Sequence, residues 1–242
     1  MQIVGNRKER MQEEMSFANH TDGDPFECER CGTCCRKGGP GLHNVDFPIV
    51  AEKIVSPENL YTIRKGELIR DNINGGLVCT DTEIVKVRSA KGSSTCVYFD
   101  DAGSACRIYE NRPAQCRAMK CRDIADITDM HVKNRLSRAD LFENVDWVME
   151  LIDAHEERCS YRDAHDLIER RKEGDVSAVR ELSGMIAYDQ AVRDIVREKK
   201  AMGEGMLDLA FGLPLARVLE HRFGIRPEKS RAAFESEPAA DV

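Results

Sequence analysis

The chain has 242 residues, a formal net charge of -7 and ten cysteines. That length can bury a substantial core without crosslinks, and the cysteine content exceeds ordinary usage while falling short of a small secreted disulfide scaffold. The acidic balance counts against nonspecific nucleic-acid binding, which needs clustered positive charge, and no apolar run approaches bilayer-spanning length.

Residues 1–25 read as an N-terminal extension. The opening MQIVGNRKERMQEEMS carries basic and acidic residues where a secretory signal needs its apolar stretch, so a cytoplasmic location is expected. In that reducing compartment clustered thiols serve as ligands or redox groups rather than as lasting disulfides. The first cluster, CERCGTCC at 28–35, places Cys28, Cys31, Cys34 and Cys35 within eight positions. Cys28, Cys31 and Cys34 recur every third residue, as in loops that face an iron-sulfur cluster, and a C-x2-C pair is equally half of a tetrahedral zinc site. On an extended backbone the neighbours Cys34 and Cys35 would diverge, which favours two metals or one multinuclear cluster.

RKGGPGLHN at 36–44 reads as a turn-rich loop, with His43 as a capping or surface residue and a less favoured extra ligand. Two short helices are expected next, over 46–55 with Asp46 as cap and over 56–68 with Ser56 as cap and Pro57 at the first helical position. EIVKVR at 83–88 and TCVYF at 95–99 read as strands joined through SAKGSS, a small hairpin carrying Cys96. After the turn before Cys106, NRPAQCRAMKC at 111–121 reads as a helix capped by Asn111, with Pro113 in its first turn and Cys116 on it. Residues five apart on a helix lie ~140° around its axis, so Cys116 and Cys121 serve one metal only if the helix ends between them. Cys79 and Cys159 lie outside both groups and read as ordinary buried cysteines.

From residue 140 onward the periodicity is helical. Leu141, Val145, Val148 and Ile152 recur at helical spacing, followed by Val179, Leu182, Ile186, Val192, Ile195 and Val196, with Trp147 assigned to the core. Gly212 and Pro214 divide two last short helices. The expected organisation is a cysteine-cluster metal-binding domain over 26–124, a helical region over 125–226 and a mobile tail over 227–242. The fold class is mainly α with a small β-hairpin: a cysteine-rich domain of short helices and loops packed on a helical C-terminal region. Charge is uneven as well, with 17 Lys+Arg against 17 Asp+Glu in residues 1–121 and 19 against 26 in the remainder.

CERCGTCC followed downstream by CVYFDDAGSACRIYENRPAQCRAMKC resembles the YkgJ-like CxxCxxCC cysteine-cluster family. Cys28, Cys31, Cys34 and Cys35 match its first motif. Cys96, Cys106, Ile108, Tyr109, Arg112, Pro113, Cys116 and Arg117 match its second, and Cys121 lies where its last cysteine is expected. The resemblance covers the first half of the chain and implies a zinc- or iron-chelating domain with no established reaction, although a similar cluster occurs in methyltransferase-like proteins that modify flagellin lysines. The cofactor expected is an iron-sulfur cluster or zinc, held among Cys28, Cys31, Cys34, Cys35, Cys96, Cys106, Cys116 and Cys121, with Arg112 and Arg117 as hydrogen-bond donors to sulfur or as ordinary ion-pair partners. Zinc would make a closed structural site, and an iron-sulfur cluster would permit electron transfer. An accessory or redox role leads. A cluster-dependent redox or protein-modifying enzyme, and a metal-stabilised adaptor docking a protein partner through its acidic helical region, are the alternatives. No nucleic acid or membrane partner is expected, and no substrate is indicated.

Overall fold

The computed structural model describes residues 28–71, 75–121 and 125–225. The N-terminal extension and the tail assigned from sequence lie outside the described residues. Among the described residues the fold is mainly helical, with three two-stranded antiparallel sheets.

The organising strand is β4 (Ile84–Val87), whose alternation buries Val85 and Val87. One edge pairs with β1 (Leu60–Ile63), with Leu60 opposite Val87 and Ile63 opposite Ile84. The other edge takes residues 40–42: Leu42 N–H donates to the Val85 carbonyl at 2.8 Å and Val87 N–H to the Pro40 carbonyl at 2.9 Å. Leu42 passes the pairing onward, its carbonyl accepting from Leu136 N–H at 3.0 Å. Part of the loop that follows the first cysteine cluster thus runs strand-like beside β4, joined to it by an isolated bridge. Gly39 permits this, because a Cβ there would stand 2.3 Å from the Val87 carbonyl oxygen.

Two local expectations give way to this pairing. Residues 56–68 are not a helix: a 3₁₀ turn at Pro57–Asn59 leads straight into β1, then β2 (Leu68–Arg70) pairs with β3 (Leu77–Cys79). The β-branched and aromatic side chains of β1 gain a partner strand and a buried face, which outweighs a local helix signal. Nor is the expected hairpin of 83–88 with 95–99 regular. It keeps its turn, with Ala90 N–H on the Thr95 carbonyl, but its pairing shrinks to the bridge between Ser89 and Cys96. Phe99–Asp100 (β5) pairs instead with Ala105–Cys106 (β6). The helix expected over 46–55 is shortened to α1 (Phe47–Ala51).

The second half is helical: α2 (Ala114–Ala118) and α3 (Ala125–Met130) lead to α4 (Arg138–Leu141), α5 (Asp146–Arg158), α6 (Tyr161–Lys172), α7 (Val176–Glu198), α8 (Glu204–Phe211) and α9 (Leu215–Phe223). Side-chain caps fix three starts, with Ser137 accepting from Asp140 N–H, Ser160 from Asp163 N–H, and Asp175 from Ser177 and Ala178 N–H. The larger core joins Leu42, Val50, Leu60, Val85 and Phe99 to Phe142, Val148, Ile152 and Phe211. The smaller one gathers Tyr161, Ile168, Leu182, Leu215 and Leu219. Helix α7 serves both, through Leu182 and Ile186 at one end and Val192 and Val196 at the other. Trp147 and Ile195, assigned to the core from periodicity, are instead 43% and 52% exposed. Among the described residues no helix is long and apolar enough to cross a membrane.

Candidate metal centre

The first cysteine loop is a compact turn. Arg36 N–H donates to the Gly32 carbonyl at 2.9 Å, and Cys35–Lys37 form a 3₁₀ turn preceded by Cys34 in helical geometry. This removes the objection to Cys34 and Cys35 sharing a site, because a turn lacks the two-sided divergence of extended backbone. The two sulfurs adjoin: a hydrogen bond from the Cys35 thiol brings Cys34 down to about 6 and pushes Cys35 up, to which burial adds.

Several contacts dock this turn on the second motif. Cys96 N–H donates to the Cys35 carbonyl at 2.8 Å, and Ser94 Oγ to the Arg36 carbonyl at 2.7 Å. Gly32, at φ +75°, lies so close to the Phe99 ring that a Cβ would stand 2.4 Å from its tip. Arg36 lies over the same ring, pairs with Asp101 at 2.8 Å and donates to the Cys31 carbonyl at 3.1 Å. Further along, Arg30 and Arg112 each stack on Tyr109 at 3.9 Å.

Helix α2 brings Cys116 to the same place. Its starting N–H, on Ala114, donates at 2.7 Å to the buried Asp46 carboxylate, which also accepts from His43 N–H at 2.9 Å. The cap is therefore Asp46, far away in sequence, rather than Asn111. Gln115 accepts from Gly41 N–H at 2.6 Å, tying α2 to the loop strand.

The result is a patch of sulfurs from both motifs. Cys35 lies within electrostatic reach of Cys34, Cys96 and Cys116, and Cys116 within reach of Cys34, Cys96 and Cys106. Burial holds the Cys116 thiol far above its ordinary value and raises Cys96 as well. Helix α2 ends at Ala118 and Met119 turns to extended backbone, so Cys121 leaves the Cys116 face and adjoins Cys31 instead. Hydrogen bonding to Thr33 lowers the Cys31 thiol, with Cys121 contributing in the same direction. The Cys28 sulfur accepts from Arg30 N–H at 3.4 Å. Cys34, Cys31 and Cys121 are exposed, Cys35, Cys106 and Cys116 half-buried, and Cys96 buried. Among the described residues no three Cys, His, Asp or Glu side chains form a preformed coordination cage. The donor chemistry nonetheless fits zinc or iron: soft sulfur donors are carried by a turn, a strand end and a short helix.

The remaining candidates separate clearly. Cys159 is fully buried and its thiol donates to the Met185 carbonyl at 3.6 Å. Cys79 is exposed on β3, with its sulfur 3.8 Å from His165 Nδ1, so its assignment to the buried class is corrected. His43 is buried, its Nδ1–H donating to the Lys133 carbonyl at 2.8 Å. Arg117 donates to the Arg112 carbonyl at 2.6 Å and lies 4.0 Å from Asp46, whereas Arg112 keeps Nε and Nη1 buried with no acceptor among the described residues. Lys86 on β4 escaped the sequence reading. Burial lowers its ammonium, while the Cys116 and Cys96 sulfurs favour its charge. The available signal was a lysine inside a β-branched run.

These features define a cysteine-rich module in which thiols of two chain-distant motifs influence one another. Residues 27–136 match the family model CxxCxxCC, described as a "Putative zinc- or iron-chelating domain", the family its motifs resemble. No curated protein and no solved structure matches the chain.

Proposed function

We propose that this protein chelates zinc or an iron-sulfur cluster through the cysteines of both motifs and acts through that centre in an accessory or redox role. Cys34, Cys35, Cys96, Cys106 and Cys116 are the inner donors, with Cys28, Cys31 and Cys121 at the rim. The observation that carries the reading is the convergence of Cys34 and Cys35 on Cys96, Cys106 and Cys116. Exposure of Cys31, Cys34 and Cys121 supports an accessory or redox role, since one side of the centre meets solvent, where a partner or electron donor reaches it.

Chelation requires the thiolates, so binding releases protons and links the order of the cysteine loop to metal occupancy. The test is metal and acid-labile sulfide analysis with an absorption spectrum on full-length protein purified anaerobically. Iron with sulfide and a visible band that bleaches on reduction identifies a cluster and the redox role. Colourless protein with about one or two zinc ions per chain identifies a structural thiolate site. Protein that carries neither metal and takes up neither on reconstitution overturns the reading.

A further inference from the structure

Arg30 stands between Cys28 and Cys31 with φ +54°, a left-handed conformation that non-glycine residues rarely hold. Its backbone N–H donates to the Cys28 sulfur at 3.4 Å, while its side chain crosses to the second motif, where the guanidinium carbon lies 3.9 Å from the centre of the Tyr109 ring. Arg112 holds its own guanidinium 3.9 Å from the same centre. Two guanidiniums at that distance cannot share one face of a ring without overlapping, so they cover opposite faces and Tyr109 is sandwiched between them. The two cations differ in their surroundings. Arg112 keeps Nε and Nη1 buried with no acceptor and, among the described residues, pairs with no carboxylate, so the negative face of the ring is what offsets its charge. Its N–H closes a turn on the Tyr109 carbonyl at 3.3 Å, and its own carbonyl accepts from Arg117 at 2.6 Å. Tyr109 and Arg112 therefore belong to the turn that leads into α2 and Cys116, whereas Arg30 is exposed on the outer arm.

We infer that the Arg30, Tyr109 and Arg112 stack is the latch of the metal centre, with Tyr109 as its positioning residue: it holds the arm of Cys28 and Cys31 against the second motif and thereby sets how fast metal leaves. The inference rests on the proposed chelation and adds to it a contact made by no cysteine. Arginine suits this task because its planar guanidinium stacks on an aromatic face, which the compact ammonium of lysine does not reproduce. Groups that orient ligands without touching the metal commonly govern its retention.

The test uses full-length protein loaded with zinc, with release followed in excess chromophoric chelator and thiol accessibility mapped by alkylation and mass spectrometry. Tyr109→Leu keeps an apolar side chain and removes the ring face. It is expected to release zinc about tenfold faster than the parent and to let alkylation reach Cys28 and Cys31 ahead of Cys96 and Cys116. Tyr109→Phe retains the face and is expected to match the parent in both measurements. Arg30→Asn suits the left-handed backbone but is too short to reach the ring, so it should speed release in the same direction, and combining it with Tyr109→Leu should add little because both remove one contact. If Tyr109→Leu does not fold, the exposed Arg30→Asn carries the comparison, with Arg30→Lys expected to fall short of the parent. Parental release in the folded variants, full additivity of the pair, or equally fast labelling of Cys96 and Cys116 would overturn the latch, the last by assigning Tyr109 to the fold as a whole. A parent that binds neither zinc nor iron would overturn the proposed chelation and the latch with it.

Discussion

Cys116 and Cys159 are both held by helical segments, yet their surroundings set them on different courses. Cys116 is ringed by other sulfurs with Lys86 nearby, whereas the Cys159 thiol spends its proton on a backbone carbonyl and sees no second cysteine. Cys116→Ser is therefore expected to abolish or halve the bound metal and Cys159→Ser to leave it unchanged, as read by metal content per chain. Equal metal in both variants would remove Cys116 from the donor set. Cys79 provides the complementary observation. It is exposed on β3 beside His165 and distant in sequence from both motifs. In metal-loaded protein, alkylation mapped by mass spectrometry should label Cys79 first and spare the motif cysteines until a chelator is added. Rapid labelling of Cys34 or Cys116 before chelation would contradict their role as ligands.

At the level of elements, the cysteine turn is held by glycines whose space is already taken. Gly32→Ala must both accept φ +75° and displace the Phe99 ring, and Gly39→Ala must move the Val87 carbonyl. Each is expected to destabilise by about 1–3 kcal/mol and to weaken metal retention, read by thermal unfolding alongside metal content. A parental melting temperature in either variant would mean that the turn is not docked in this way. Gly39 was legible as part of a turn-rich loop, and the eight cysteines as a group, because spacing along the chain is local information. The helical character of the second half was legible for the same reason, since 3.6-residue periodicity acts within a few turns. What the chain did not disclose was long-range pairing: β1 in place of a helix at 56–68, the bridging of residues 40–42 to β4, the cap that Asp46 lends to α2, and the bond from Lys86 to the Gly39 carbonyl. Trp147 and Ile195 failed for a related reason, because periodicity marks a helix stripe but not where a neighbouring element ceases to cover it.

Across the whole molecule, the cysteine-bearing half is joined to the helices by a buried ionic network as well as by the larger core. Arg64 at the end of β1 reaches Glu156 at 3.1 Å and lies 3.4 Å from His155 Nδ1, while Arg138 bridges Glu156 and Glu83 at 2.7 Å each. His155 Nε2 lies 2.8 Å from Asp189, which also accepts from Arg193 and from Leu215 N–H. Because an arginine only donates, Nδ1 of His155 is the acceptor and Nε2–H the donor, so the ring is neutral in the folded protein. Burial, aided by Arg64, lowers its proton affinity despite the opposing Asp189. The unfolded ring titrates near its ordinary value of about 6.5, so below that pH the unfolded chain binds a proton that the folded chain refuses. Stability is accordingly greatest above about pH 6.5 and falls as the pH drops from there toward the lower folded value. His43, also buried and lowered, acts in the same direction, whereas Asp46 and Glu67, whose carboxyls burial raises, act oppositely. Acid also releases thiolate-bound metal, so the informative quantity is a difference between variants rather than the slope of one protein. His155→Gln, which keeps a donor toward Asp189 without a titrating ring, should be less stable than the parent at pH 7.5, and that deficit should shrink at pH 5.5. Unfolding by denaturant at the two pH values measures it, and a deficit that stays constant or widens on acidification would show that His155 is not held neutral in the fold.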